Sequence, residues 1–211
     1  MKTESLGGFD RFRVPAALLV IAIHTGPLLS LNGEANYLLT DILARIAVPF
    51  FFSVSGWFLV PRLLREGRAA LIPFVKKLLL LYGAAVLLYL PLNLYNHTLE
   101  ESGFALLRDV LFNGTFYHLW YFPALVLGAC LVYGLLRILG PRWAWLPALL
   151  LYAAGLLGDS YFGLTAALPP LRAGYEALFL LFDYTRNGLF FPPVFLLLGG
   201  WLALRPARRS A

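Results

Sequence analysis

The sequence predicts an all-α protein, a polytopic bundle of six membrane-spanning helices with both termini on the cytoplasmic side. Hydrophobic residues make up 60% of the 211 positions and charged residues only 13%, too little polar surface to cover a soluble globule of this size. Apolar runs of membrane-crossing length recur along the chain, separated by short polar segments. With the N-terminus inside, 13 of the 17 basic residues fall on inner segments and eight of the 11 acids on outer ones. That asymmetry follows the positive-inside rule, so the net charge of +6 reflects topology and calls for no nucleic-acid partner.

The elements follow in order. Residues 14–31 form a first run too long for a signal-peptide core and without a small-residue cleavage site after it, so it reads as a retained signal anchor. Residues 46–60, 71–95 and 119–136 are the next three spans. Residues 143–157 are short for a perpendicular crossing but adequate with an interfacial aromatic start, and residues 189–204 make the sixth. The apolar stretch 175–182 is too short to cross and is expected to lie at the surface or re-enter. No internal repeat divides the chain, which reads as one domain over 1–211, ending on the basic tail Arg205-Pro-Ala-Arg-Arg-Ser-Ala. The single cysteine, Cys130, sits in an apolar run and is expected to be a buried structural thiol.

Arg13 and His24 stand out within the first span. Eleven helical steps bring them to within roughly 20° of one another, about 16 Å apart along the axis. A titratable ring at membrane depth is costly and points to function. Neutral imidazole takes a proton from a hydroxyl near neutral pH, although a histidine also serves as hydrogen-bonding glue between helices. Arg13 suits a phosphate-bearing ligand or a simple topological anchor. Arg62, Arg65 and Arg68, spaced three apart, share a helix face that fits an anionic cofactor, or equally anionic lipid headgroups.

In the second span, Arg45-Ile-Ala-Val-Pro49-Phe-Phe-Phe-Ser53-Val-Ser55-Gly56-Trp57-Phe58 combines a proline with small residues, which either pack a neighbouring helix closely or line a polar passage. On the outer side, Asn113-Gly-Thr-Phe-Tyr-His118-Leu-Trp120-Tyr121-Phe122-Pro123 reads as an interfacial belt or as an aromatic surface for a carbohydrate or peptide acceptor. Asp183-Tyr-Thr185-Arg186-Asn187-Gly188 is a polar turn before the sixth span, and its arginine needs a partner such as Asp183 or Asp159. Zinc spacing, a nucleophile elbow and a phosphate-binding glycine loop are missing from the sequence, and the sequons at Asn96 and Asn113 are weak signals.

Five segments together resemble the acyltransferase-3 family of integral membrane acyltransferases. They are Phe9-Asp10-Arg11-Phe12-Arg13 leading to His24, the Arg45 to Phe58 stretch, Arg62-x-x-Arg65, His118-Leu-Trp-Tyr-Phe, and Thr185-Arg186-Asn187-Gly188-Leu-Phe-Phe. The last is also similar to the membrane domain of vancomycin-resistance serine racemases, in the same superfamily. The resemblance implies an O-acyltransferase in a bacterial inner or plasma membrane, with acyl-CoA, typically acetyl-CoA, as cytoplasmic co-substrate and no metal. Arg13, Arg62 and Arg65 would hold the CoA phosphates, and His24 would act as general base or transient acyl carrier. Arg45, Ser55, His118, Trp120, Arg186 and Asn187 would line the path of the acceptor, a hydroxyl on an extracytoplasmic glycan or envelope component. The alternatives are a serine-like amino-acid transport or binding module, and an inactive truncated remnant. Members of the family carry about ten spans, so the resemblance implies a domain incomplete at its C-terminus, completed by further helices or a second subunit.

Overall fold

The computed structural model describes residues 7–99 and 102–205, with side chains from Asp10 onward. Lys2, Glu4, Glu100, Glu101, Arg208 and Arg209 of the charge pattern, and the Phe9 side chain, lie outside the described residues. All regular secondary structure among the described residues is helical, with no strand.

Helix α1, Gly7–Thr25, stops six residues short of the expected end of the first span. Gly26 takes φ +53 and donates its N–H to the Ala22 carbonyl at 3.0 Å, a left-handed helix stop, and Pro27 brings no donor with which to resume. His24 therefore occupies the last turn of α1 rather than a position deep within a longer span. Asn32 then caps α2, Gly33–Tyr37, by accepting from the Ala35 N–H at 2.9 Å.

From Gly33 the chain stays helical to Glu66, but not regularly so. A π turn over Leu38–Leu43 and a 3₁₀ turn over Ala44–Ile46 precede α3, Ala47–Glu66. Pro49 explains the irregularity: it has no N–H for the Arg45 carbonyl, and its ring crowds that same carbonyl. Gly67, at φ +57, turns the chain into the 28-residue α4, Arg68–Tyr95. Short α5, Gly103–Arg108, and a π turn, Asp109–Asn113, lead to α6, Tyr121–Trp143, which breaks at Gly140 (φ 77) before Pro141. After α7, Trp145–Gly158, come α8, Phe162–Ala166, and α9, Pro169–Leu178, and then α10, Pro192–Leu204.

Among the described residues, three helical stretches are long and apolar enough to cross a membrane: Gly33–Glu66, Arg68–Tyr95 and Tyr121–Trp143. The expected fifth and sixth spans appear as α7 and α10, apolar helices of 14 and 13 residues. The stretch 175–182 is not one continuous helix, since α9 ends at Leu178. Tyr175 on α9 donates its hydroxyl to the Ala154 carbonyl at 2.7 Å, folding that segment against α7.

The core centres on α3, α6 and α10, with Phe52, Leu59, Ala129, Val132, Leu196 and Leu197 buried together. The crossing of α3 and α10 is glycine-mediated. A Cβ at Gly56 would strike the Leu196 backbone, and one at Gly199 would strike the Ser53 carbonyl. Of the two uses open to the small residues of α3, the structure thus has Gly56 serving close helix approach. Cys130 is exposed, contrary to expectation, because α6 buries its Ala124, Gly128, Ala129 and Val132 face and the next step turns Cys130 outward.

Candidate functional site

A cavity of about 590 Å³ opens at the end of the bundle where α1 stops and α10 begins. Its wall is assembled from five places in the sequence. Helix α1 supplies Val20, Ile23 and His24, the irregular helix supplies Tyr37, Asp41 and Arg45, and the α6 approach supplies Trp120. Tyr152, Gly155 and Asp159 come from α7 and its end, and Thr185, Arg186, Phe190 and Phe191 from the turn into α10. The size suits a small organic molecule, with apolar walls and few charged groups.

The charged groups come as two pairs. Arg45 Nη2 donates to Asp41 Oδ1 at 2.9 Å, and Asp41 also accepts from the Thr40 hydroxyl at 2.9 Å. Both residues project from the helix that Pro49 distorts. Arg186 Nε lies 3.0 Å from Asp159 Oδ2, yet Nε is buried without an aligned hydrogen-bond acceptor, so this contact is ionic rather than a directed bond. Of the two carboxylates open to Arg186, Asp159 is the one used; Asp183 instead lies 3.4 Å from Arg108.

The turn preceding α10 aims Arg186 by fixing its neighbours. Thr185, 1% exposed, donates to the Gly155 carbonyl at 2.6 Å. Asn187 donates to the Tyr184 carbonyl at 2.8 Å and accepts from the Leu189 N–H at 3.0 Å. Gly188 sits so close to Ala124 and Leu127 that a Cβ would collide with them. Asn187 is accordingly a turn-former beside the cavity and not part of its wall.

His24 is exposed at the cavity rim and meets an aromatic cluster on its other side. Its ring lies 4.9 Å from that of Tyr117 and 5.9 Å from that of His118. His118 in turn packs edge-on against Tyr89 at 4.7 Å and Phe116 at 5.1 Å. Burial pushes the His118 imidazole below its ordinary value, and His24 adds to the effect. The loop is anchored by buried Asn93 of α4, which donates to the Thr115 carbonyl at 2.8 Å.

His24, Arg45, Trp120 and Arg186 are thus brought together in one wall, whereas Ser55, His118 and Asn187 stand outside it. Ser55 is turned inward, donating to the Phe51 carbonyl at 2.9 Å and hydrogen-bonded with Tyr121. Arg13, Arg62 and Arg65 lie outside the cavity wall, and Arg13 does not converge with the other two. Phe12 stacks edge-on with Phe50 at 4.8 Å, which sets Arg13 beside the start of α3. Arg62 lies twelve residues further along α3, roughly 18 Å of helix axis. Arg13 pairs with Asp10 at 3.0 Å, while Arg62 and Arg65 both approach Glu66, at 3.6 and 3.7 Å. Asp41 lies outside the segments that stand out in the sequence, although its spacing of four from Arg45 is the signal for a helical ion pair. Tyr37 and Tyr152 carry no such signal.

An apolar helical bundle with stretches long enough to cross a membrane, and a charged, aromatic-lined cavity at one end with a histidine at its rim, defines the class of a membrane-associated protein with a cavity of small-molecule size. The chain belongs to the acyltransferase-3 family, whose profile, described as an acyltransferase domain, matches residues 6–211. It is 45% identical over 209 residues to an amino-acid racemase of Enterococcus faecalis, covering 98% of this chain and 29% of the relative. It is 43% identical over 213 residues to a serine/alanine racemase of Enterococcus gallinarum, covering 96% of this chain and 30% of that protein. The chain therefore spans less than a third of the length of these relatives. No solved structure matches it.

Proposed function

We propose that the chain is the membrane unit of an O-acyltransferase, in which the cavity receives a hydroxyl-bearing acceptor and His24 serves as the general base. The observation that carries this reading is the convergence of His24, Trp120 and the two arginine–aspartate pairs on one cavity in a chain of this family. The aromatic wall suits the faces of a sugar ring, the paired charges suit its hydroxyls, and a glycan of the bacterial envelope combines both. Acyl-CoA, in the form of acetyl-CoA, supplies the thioester. The acceptor O–H bond breaks as its proton passes to His24, the ester C–O bond forms, the C–S bond breaks, and the thiolate recovers a proton. A transient acyl-imidazole on His24 is the covalent variant of the same chemistry.

Arg13, Arg62 and Arg65 are proposed as separate phosphate contacts along the donor's length, since roughly 18 Å of α3 separates the level of Arg13 from Arg62. On this reading, six crossings with cytoplasmic termini in a bacterial plasma membrane put the donor and acceptor on opposite sides. The exposed apolar face of α1, where Val14 and Leu18 are 65% and 60% exposed, is assigned to lipid, further helices or a second subunit. Labelled acetyl-CoA tests the proposal: His24→Ala in the intact protein should abolish label transfer while membrane insertion stays normal. Transfer at the wild-type rate would sink it.

A second reading has its own observation. Two guanidinium–carboxylate pairs on one cavity offer both signs of charge to a zwitterion, and the racemase names of the relatives suggest an amino-acid ligand. On that reading the chain binds or conveys a serine-like amino acid. Serine flux independent of CoA, in vesicles holding the intact protein, favours it over acyl transfer.

A further inference from the structure

We propose that His118 is not an acceptor contact but the second half of a two-imidazole unit with His24, a unit that holds one proton at a time. The inference rests on the reading of His24 as the base. It starts from a division of faces: His24 reaches the cavity, whereas His118 does not and lies behind it. A centroid separation of 5.9 Å is less than about 1 Å longer than an in-line nitrogen-to-nitrogen hydrogen bond between two imidazoles requires, a gap closed by a small ring shift.

The surroundings decide how many protons the unit keeps. Tyr89 from α4, and Phe116 and Tyr117 from the loop, face His118; Tyr117 and the cavity face His24. The carboxylates sharing the cavity, Asp41 and Asp159, are each within 3.0 Å of an arginine nitrogen. Among the described residues around the rings, then, no free carboxylate offsets a second positive charge, and two imidazolium ions in contact repel. One proton is accommodated and two are not.

His118 is also held in place, as a proton partner must be. Leu119 is 2% exposed and donates its N–H to the Phe116 carbonyl at 2.8 Å, and Gly114, at φ +85, brings the loop's start against the Trp120 backbone. In the transfer step the acceptor's proton moves to His24, is shared with His118 while the C–S bond breaks, and returns to the thiolate sulfur as free thiol. The imidazole pair ends as it began.

The experiment is an NMR titration of ¹⁵N-histidine-labelled protein in lipid nanodiscs, paired with the pH dependence of kcat/KM. Expected in the wild type are two separated protonation steps shared by His24 and His118, with kcat/KM falling at acid pH toward a limiting slope of two. His118→Phe keeps a ring in the aromatic cluster. It should leave His24 with one step, reduce the acid slope to one, and lower kcat at least tenfold with both KM values within twofold. A His24 titration indifferent to His118→Phe overturns the inference, leaving His118 as packing. Coupled titrations in a protein that transfers no acyl group would instead uphold the pair and overturn the acyl-transfer reading.

Discussion

The Thr185 hydroxyl donates to the Gly155 carbonyl at 2.6 Å, fastening the turn before α10 to the interior of α7. This bond joins two cavity walls, and the adjacent residue on one side is Arg186. Thr185→Val keeps the side-chain volume but leaves a buried carbonyl without its donor, a loss of about 1–3 kcal/mol. We expect a lower melting temperature in detergent, together with weaker substrate handling as Arg186 loses its aim. Thr185→Ser should restore most of both, and equal damage from Ser and Val would show that the methyl contacts matter instead of the hydroxyl.

The glycine crossing of α3 and α10 makes a different kind of prediction. Gly56 and Gly199 meet backbone atoms of the opposite helix, so an added side chain has no flexible neighbour to displace. Gly199→Ala should force the helices apart, costing at least the ~1–3 kcal/mol typical of overpacking. Gly83, on α4, has open space where a Cβ would point, with nothing within 4 Å, and Gly83→Ala serves as the matched control expected to be neutral or mildly stabilising. Thermal unfolding of the two variants in one detergent compares them directly.

How far the fold is legible in the sequence depends on the kind of signal. Hydropathy locates every long apolar helix among the described residues, because lipid-length runs with few charges leave little ambiguity. Helix ends are less legible. Gly26-Pro27 is a stop that an otherwise apolar run from Val14 to Leu31 conceals, and it moves His24 to a helix terminus. In the site, His24, Arg45, Trp120 and Arg186 stand out in the sequence because each is a costly or amphipathic group at an apolar boundary, and the structure gathers them on one wall. Ser55 and Asn187 carry the same kind of signal but lie outside that wall, because a hydroxyl or amide satisfies a nearby backbone group as readily as a ligand, a choice made by tertiary packing. Nor does the sequence reveal that Arg13 sits beside the start of α3, far from Arg62, since that depends on how α1 slides against its neighbour.

The Arg186–Asp159 pair lends itself to a charge test. Asp159→Asn removes the carboxylate 3.0 Å from Arg186 Nε and leaves the guanidinium, 39% exposed, as an uncompensated cation in the cavity wall. Under the acyl-transfer reading a neutral acceptor loses an orienting group, with a several-fold rise in KM. An anionic ligand would bind more tightly to the same variant. Binding isotherms for a neutral glycan fragment and a carboxylate ligand, with wild type and Asp159→Asn, separate these outcomes, and pairing each with Arg186→Gln in a double-mutant cycle isolates the coupling.

Acid should weaken the fold through His118. Burial holds its imidazole below the ordinary value, so as pH falls below about 6.5 the unfolded chain takes up a proton before the folded chain does. The stabilisation is fully present above that value and is lost as pH falls through the folded-state one. Melting temperatures at pH 7.5 and pH 5 should therefore diverge more in the wild type than in His118→Gln. Equal divergence would mean that other groups carry the acid sensitivity.

Pro49 supplies the last prediction, because it sets helix geometry and cavity composition at once. Its missing N–H leaves the Arg45 carbonyl without the helical partner it would otherwise have, and the preceding turns relax into the 3₁₀ and π conformations that carry Arg45 and Asp41. Pro49→Ala restores the donor and removes the steric conflict, allowing a regular α-helix through residues 38–50. A π turn spends one residue more per hydrogen-bonded ring than an α turn and a 3₁₀ turn one fewer, so exchanging both for α turns changes the direction in which residues 37–45 face relative to α3. Asp41 and Arg45, still four apart and able to pair on a regular helix, then turn together relative to the cavity wall. The expected result is a variant at least as stable as the wild type by thermal melting, with activity or ligand binding reduced tenfold or more. Unchanged function alongside a regularised helix would show that the cavity does not depend on where the irregular turns place the Asp41–Arg45 pair.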